Sequence, residues 1–142
     1  MTLSTESKAS ALSSVPLFAG ISAESMQRLA DVTAEADFQA GQFIVIQGQV
    51  GTGLYVIVDG SAKVVRGSDE LALLKAGDFF GELSVIDQEP RYASVQAVEP
   101  TRCLALASWD LLDLIEKDPQ LAQNLLRGMA QRIRAAGEQH RH

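Results

Sequence analysis

Glycine spacing constrains this chain more than any other feature. Eight of its eleven glycines (Gly41, Gly48, Gly51, Gly53, Gly60, Gly67, Gly77 and Gly81) fall between residues 41 and 81. A helix of ordinary length cannot run through glycines at that density, because each costs roughly 1 kcal/mol against alanine in a helix interior. Between them sit short apolar runs at 43–46, 54–58, 62–65 and 71–74. Aromatic and β-branched runs broken at such short intervals by turn formers predict strands, and Asp59-Gly60 predicts a hairpin turn. Two further runs, 93–98 and 101–107, are separated by Glu99-Pro100. The expected fold is mainly β with flanking helices. The middle, residues 37–107, is expected to be an all-β sandwich or roll of about seven or eight short strands.

The flanks follow a helical period. Residues 1–36 form an N-terminal helical segment, in which Ser22 is expected to cap a helix, Ile21 and Met26 to staple it, and Met26, Leu29, Ala30 and Thr33 to share one face. Residues 108–137 are expected to form two C-terminal helices. Ser108 would cap the first, with Leu111, Leu112 and Ile115 inward; Asp118-Pro119 would restart the chain as N-cap and first helical residue. The last helix should reach about Ala136, carry Leu121, Leu125, Met129 and Ile133 on one stripe, and stop at Gly137. Gly128 stands inside it as a weak point.

With 142 residues, 46% of them hydrophobic, residues 1–142 can close around one core as a single domain. Global disorder is excluded by that apolar content, and no run approaches the ~18 apolar residues of a membrane span. Residues 1–15 contain five serines, Glu6 and Lys8, and lack the apolar stretch of a secretory signal. The lone Cys103 cannot form an internal disulfide, which points to a reducing, cytoplasmic setting; in its strand it is expected to pack as a small hydrophobe. A net charge of −6 argues against loose nucleic-acid binding, although residues 127–142 carry Arg127, Arg132, Arg134 and Arg141 against Glu138 alone.

Chemistry concentrates in residues 77–94. Gly81 lets the chain turn sharply out of a strand, and Glu82 to Ile86 can form a helical turn whose free N–H groups suit an anion. Arg91 follows nine residues after Glu82 and can return a guanidinium fork to the same place. A carboxylate is a poor neighbour for phosphate but a good acceptor for a sugar hydroxyl, so the set suits a phosphorylated sugar. Taken alone, Glu82 and Arg91 would be an ordinary surface ion pair of about 0–1 kcal/mol. Catalysis is not expected. No histidine precedes His140, so Cys103 and the serines lack a base, and a histidine metal site cannot form inside the roll; His140 and His142 carry no role. No cofactor and no metal are expected.

Phe80-Gly81-Glu82-Leu83 followed by Arg91-Tyr92-Ala93 resembles the phosphate-binding cassette (residues 80–94 here) of the cyclic nucleotide-binding domains found in protein kinase regulatory subunits, gated channels and the catabolite activator family. The likeness extends over nearly the whole chain, from Val15-Pro16-Leu17-Phe18 through Leu54 to Gly60 and on to Lys117-Asp118-Pro119. The resemblance implies a β-roll or jelly-roll with flanking helices, and a sensor for cAMP or cGMP. Glu82 would accept the ribose 2′-hydroxyl. Arg91 would pair with the cyclic phosphate, helped by the backbone N–H groups of Ser84, Tyr92 and Ala93. Gly81 would permit close approach, and Leu83 and Val85 would pack the short helix on the roll. The two C-terminal helices would act as a lid, with Asn124, Arg127 or Gln131 meeting the purine edge. Tyr92 stands where the family has a small Ala, Ser or Thr, which leaves the base open; Gln49 and Thr52 replace acids common in the turn after Gly48. The family's transcription factors continue into a helix-turn-helix, for which 136–142 are too short, so output is expected through a protein partner or a homodimer on the 121–133 face. The alternative is a degenerate roll that binds no nucleotide and serves as an interaction module.

Overall fold

The computed structural model describes residues 3–51 and 53–139, so the expectations at Thr52, His140 and His142 lie outside the described residues. Helix α1 (Thr5–Ser13) and a 3-10 turn (Pro16–Phe18) lead into α2 (Ala23–Val32). Ser22 caps α2 as expected, its hydroxyl accepting from Ser25 N at 3.0 Å. The serine-rich opening gives no apolar period, yet Ser4 caps α1 in the same way and Leu12 is buried.

The strands are β1 (Ala34–Phe38), β2 (Phe43–Val45), β3 (Gly53–Asp59), β4 (Ser61–Arg66), β5 (Asp69–Lys75), β6 (Phe79–Phe80), β7 (Ser94–Ala97) and β8 (Thr101–Ala107). They build two antiparallel sheets, β1-β8-β3-β6 and β2-β7-β4-β5. This is the jelly-roll that the family resemblance implies, within the sandwich or roll that the glycine spacing predicts. β1 and β6 are additions to the predicted runs: β1 alternates apolar and polar residues (Ala34, Ala36 and Phe38 against Glu35 and Asp37) but directly follows α2, and β6 is too short to show a period. Asp59-Gly60 is not a hairpin: β3 and β4 lie in different sheets, and the turn is a corner between them. The second corner, at Glu99-Pro100, lies against it, with Ser61 Oγ donating to Glu99 Oε2 at 2.6 Å and Thr101 Oγ1 to Ser61 O at 2.9 Å.

β3 and β8 run side by side with Leu54 opposite Leu106, Val56 opposite Leu104 and Ile57 opposite Cys103. Leu54, Val56, Leu104 and Leu106 face the helices, while Ile57 and Cys103 face the second sheet, so the strands are covered on both sides. Such strands read as unbroken apolar runs. Cys103 is the small core residue expected, and burial, aided by Asp37, pushes its thiol up to about 12.

Helices α4 (Ser108–Lys117) and α5 (Pro119–Gln139) close the chain. Several details differ from expectation. The N-cap of α4 is Ala107, and Ser108 already lies inside the helix without a capping bond. Leu111 is buried and Ile115 packs against the core as expected, whereas Leu112 is exposed and Leu114 takes the inward place instead. Asp118 does cap α5: Oδ1 accepts from Gln120 N at 3.2 Å, while Oδ2 accepts from Ser22 N at 3.0 Å and ties the junction to α2. Helix α5 passes through Gly137, since nothing there draws the backbone into a left-handed turn. Its stripe holds at Leu121, Leu125 and Met129, but Ile133 is 71% exposed because the face turned towards Phe79 at this end carries Gly128 and Arg132 instead.

Gly128 packs rather than hinges. A Cβ there would lie 2.9 Å from the buried Phe79 ring. In an open helix Gly→Ala gains roughly 1 kcal/mol, but overpacking costs about 1–3 kcal/mol. Gly128→Ala is therefore expected to lower the urea-unfolding free energy; a stabilised variant would show that α5 does not press on Phe79.

Candidate functional site

Gly81 ends β6 with φ +92°, a left-handed conformation open to glycine, and from it springs α3 (Glu82–Asp87). This is the sharp exit from the strand that the sequence predicts. Val85 packs beneath α3, as expected, but Leu83 points outward and lines a cavity instead. The cavity has a volume of about 330 Å³, in the range of small-molecule sites. It brings together all the cassette residues nominated above: Gly81, Glu82, Leu83, Ser84, Arg91, Tyr92 and Ala93.

Arg91 is only 7% exposed. Its NH1 donates to Gly81 O at 3.0 Å and its NH2 to Gly53 O at 2.9 Å, which fixes the plane of the guanidinium. Two glycines make the room. A Cβ on Gly51 would lie 1.9 Å from Arg91 Nε, and one on Gly81 would lie 2.6 Å from NH1. The backbone is held just as firmly: Arg91 N donates to Gln49 O and Gly48 N to Arg91 O, at 2.8 and 2.9 Å. Burial pushes the guanidinium pKa down, partly offset by Tyr55 and Glu82, yet an arginine stays charged. Among the described residues no carboxylate comes within 4.0 Å of it in an ion pair. Two carbonyls satisfy part of its donor set and none of its charge. The cavity therefore presents a desolvated cation with N–H groups to spare, and a buried charge without a counter-ion is costly.

The buried Glu82 does not pair with Arg91. Its Oε1 accepts from Arg132 NH1, and Arg132 NH2 donates to Phe79 O, with the Arg132 guanidinium 4.4 Å above the Phe79 ring. Arg132 thus reaches across from α5, with Ala135 and Ala136 beside it on the cavity wall. The sequence argument singled out Asn124, Arg127 and Gln131 for this face, and the structure corrects all three. Asn124 is buried and donates to Leu17 O and Ala19 O at 2.9 and 2.8 Å, tying α5 to the 3-10 turn. Arg127 and Gln131 line a different groove, with Pro16, Lys75 and Asp78. Arg132 lies one turn beyond Gly128 on the face packed against Phe79, so only the approach of α5 to β6 could have revealed it.

Tyr92 is 56% exposed and borders the cavity without filling it. Tyr92 and Ala93 have backbone N–H groups with no carbonyl partner among the turn and loop bonds of the described residues. Ser84, in the first turn of α3, is buried with its residue at the cavity wall.

The family model described as "Cyclic nucleotide-binding domain" matches residues 35–118. The chain is 38% identical over 126 residues to the cyclic AMP receptor protein of Thermus thermophilus, covering 85% of this chain and 58% of that protein. It is 39% identical over 102 residues to the cAMP-dependent protein kinase regulatory subunit of Schizosaccharomyces pombe, covering 71% of this chain and 24% of that one. Among solved structures it is similar to the co-crystal structure of the regulatory domain of Toxoplasma gondii PKA with cAMP, with a TM-score of 0.78 and 31% identity over 89% of this chain and 49% of the other. The chain thus spans little more than half the length of the first of these curated relatives and about a quarter of the second.

The ion pair across the cavity is directly measurable. Arg132→Ala leaves Glu82 buried without its partner and is expected to lower the unfolding free energy at neutral pH by about 1–2 kcal/mol, a buried-pair cost discounted for the solvent that reaches Arg132. Adding Glu82→Gln should recover part of that loss. Strictly additive losses in urea melts would show that the pair does not couple.

Proposed function

The chain belongs to the cyclic nucleotide-binding domain family, and from that premise we propose that it binds cAMP or cGMP in the cavity walled by α3, Arg91 and α5. One observation carries the reading: Arg91 is a buried guanidinium, pinned by two carbonyls, with no carboxylate partner among the described residues. A cyclic phosphate supplies one negative charge and acceptor oxygens for the N–H groups that remain. The amides of Ser84, Tyr92 and Ala93 complete the anion site, and Gly81 lets the phosphate approach the backbone. Glu82 takes the ribose 2′-hydroxyl on the carboxylate oxygen that Arg132 leaves free. Leu83 forms apolar wall beside it.

In this reading residues 1–142 act as one sensor domain and not as an enzyme. Helix α5 is the mobile wall. Ligand shifts it only by as much as it binds the closed arrangement better than the open one, and Arg132 is the contact through which that difference is felt. Leu126 and Ile133 are exposed on the outer side of α5, which suits output to a protein partner or a homodimer. No helix among the described residues is long and apolar enough to cross a membrane, and we place the protein in the cytoplasm on the strength of its single thiol. The rival, a roll that binds no nucleotide, would need Tyr92 to block the site, and its ring borders the cavity without filling it.

Calorimetry with cAMP and cGMP tests the proposal. Binding of at least one ligand is expected, and Arg91→Ala should cost about 2–5 kcal/mol of affinity, as for other desolvated charge partners, while circular dichroism stays that of the parent. Absence of heat at high micromolar ligand, or a variant that binds as well as the parent, overturns it.

A further inference from the structure

Helix α4 carries an outer stripe that its own chain leaves in water. Trp109, Leu112 and Glu116 follow one another at intervals of three and four residues, so they share one helical face, and all three are exposed. Trp109 is the single tryptophan of the chain and is 67% exposed. An indole and a leucine side by side on a surface mark a contact face. The acids around them are not equally engaged. Asp110 faces Arg28 at 3.9 Å and Asp113 pairs with Lys117 at 3.0 Å. Glu116 enters no ion pair among the described residues.

The groove beneath α5 has the matching character. It has a volume of about 640 Å³; Pro16, Leu17 and Phe79 give it apolar carbon, and Lys75, Asp78 and Arg127 stand along it as charges. Lys75 and Asp78 face each other at 3.9 Å, whereas Arg127 is exposed and enters no ion pair among the described residues. In a chain of net charge −6, an apolar groove edged by an unengaged cation suits an acidic partner that carries an apolar anchor. We propose that the two patches are halves of one contact: the α4 stripe of one copy seats in this groove of a second copy, with Trp109 and Leu112 on the apolar carbon and Glu116 against Arg127. Seven residues, about 10.5 Å along a helix, separate Trp109 from Glu116, so the indole and the carboxylate engage separate parts of the groove. A buried tryptophan is a frequent anchor of protein contacts. Each copy offers one stripe and one groove. A pair of copies closes the assembly if both unions form at once, and a chain of copies grows if they do not. The contact does not depend on nucleotide, yet Arg132 and Ala135 line both the groove and the nucleotide cavity. A seated copy therefore bears on the same helix that walls the site.

Sedimentation velocity on the whole chain over roughly 5–500 µM reads the association, because a contact made by a few side chains is weak. The sedimentation coefficient is expected to rise with concentration, and the Trp109 emission to move to the blue over the same range. Trp109→Ala should weaken association at least about tenfold. Glu116→Lys and Arg127→Glu each set like charges face to face and should weaken it at least about fivefold. An equal mixture of those two variants restores opposite charges at both unions and should associate like the parent. Ile133→Asp, on the outer side of α5, should change nothing, which separates this contact from a dimer on that face. Circular dichroism of each variant should match the parent. A parent that stays monomeric throughout, a mixture no stronger than its components, or an association that Ile133→Asp abolishes would overturn the inference.

Discussion

A charged guanidinium held out of water by backbone carbonyls is the constraint around which this structure is arranged. Arg91 reaches that position because two residues without side chains, Gly51 and Gly81, leave space for its head, and because Gly53 O and Gly81 O accept from it. Those two carbonyls come from different parts of the chain, the start of β3 and the end of β6, which pair with each other in one sheet. The sheet therefore sets the spacing of the fork that grips the arginine. Desolvation makes the cation worth more to an incoming anion than an exposed arginine would be, and the fixed plane means little rotamer entropy is left to lose on binding.

The two corners of the roll and the two halves of α5 place the other components. Corner contacts between Ser61, Glu99 and Thr101 turn both connections from one sheet to the other, so β7 follows directly on the cassette and anchors its far end. The first half of α5 is tied down: Asp118 holds the start against α2, and Asn124 bonds the carbonyls of the 3-10 turn. Its second half has fewer anchors. There Arg132 links the helix to Glu82 and Phe79, across the cavity, and Ile133 faces outward. A helix fixed at one end and held at the other by side chains of the site itself has the construction that a ligand-dependent population shift needs.

Much of this was legible in the sequence for identifiable reasons. The glycine-punctuated runs marked the strands, because the middles of β3 and β8 are covered on both faces and are apolar from Leu54 to Val58 and from Cys103 to Ala107. The cassette was legible because Gly81, Glu82 and Arg91 have no plausible spacing by chance together with Phe80, Leu83 and Ala93. What failed was tertiary. Asp59-Gly60 has hairpin chemistry whether the next strand pairs with the last one or crosses to another sheet. Leu112 and Ile133 fit the apolar period, but burial depends on where the helix meets the sheet. Arg132 looked like one of several basic residues near the chain's end, and Asn124 looked polar enough for a ligand; only the packing of Gly128 on Phe79 shows which side of α5 faces the cavity. The role of Gly51 was hidden for a similar reason, since its neighbour in space is forty residues away in sequence.

The central claim is that Arg91 is the counter-ion of the ligand. Nitrogen-detected spectra of the arginine side chains, with Arg91 identified by its loss in Arg91→Lys, follow that group during a cAMP titration. The account predicts a shift of the Arg91 signals that saturates together with backbone signals of Ser84 and Ala93. Saturation of other parts of the protein with Arg91 unmoved would contradict it.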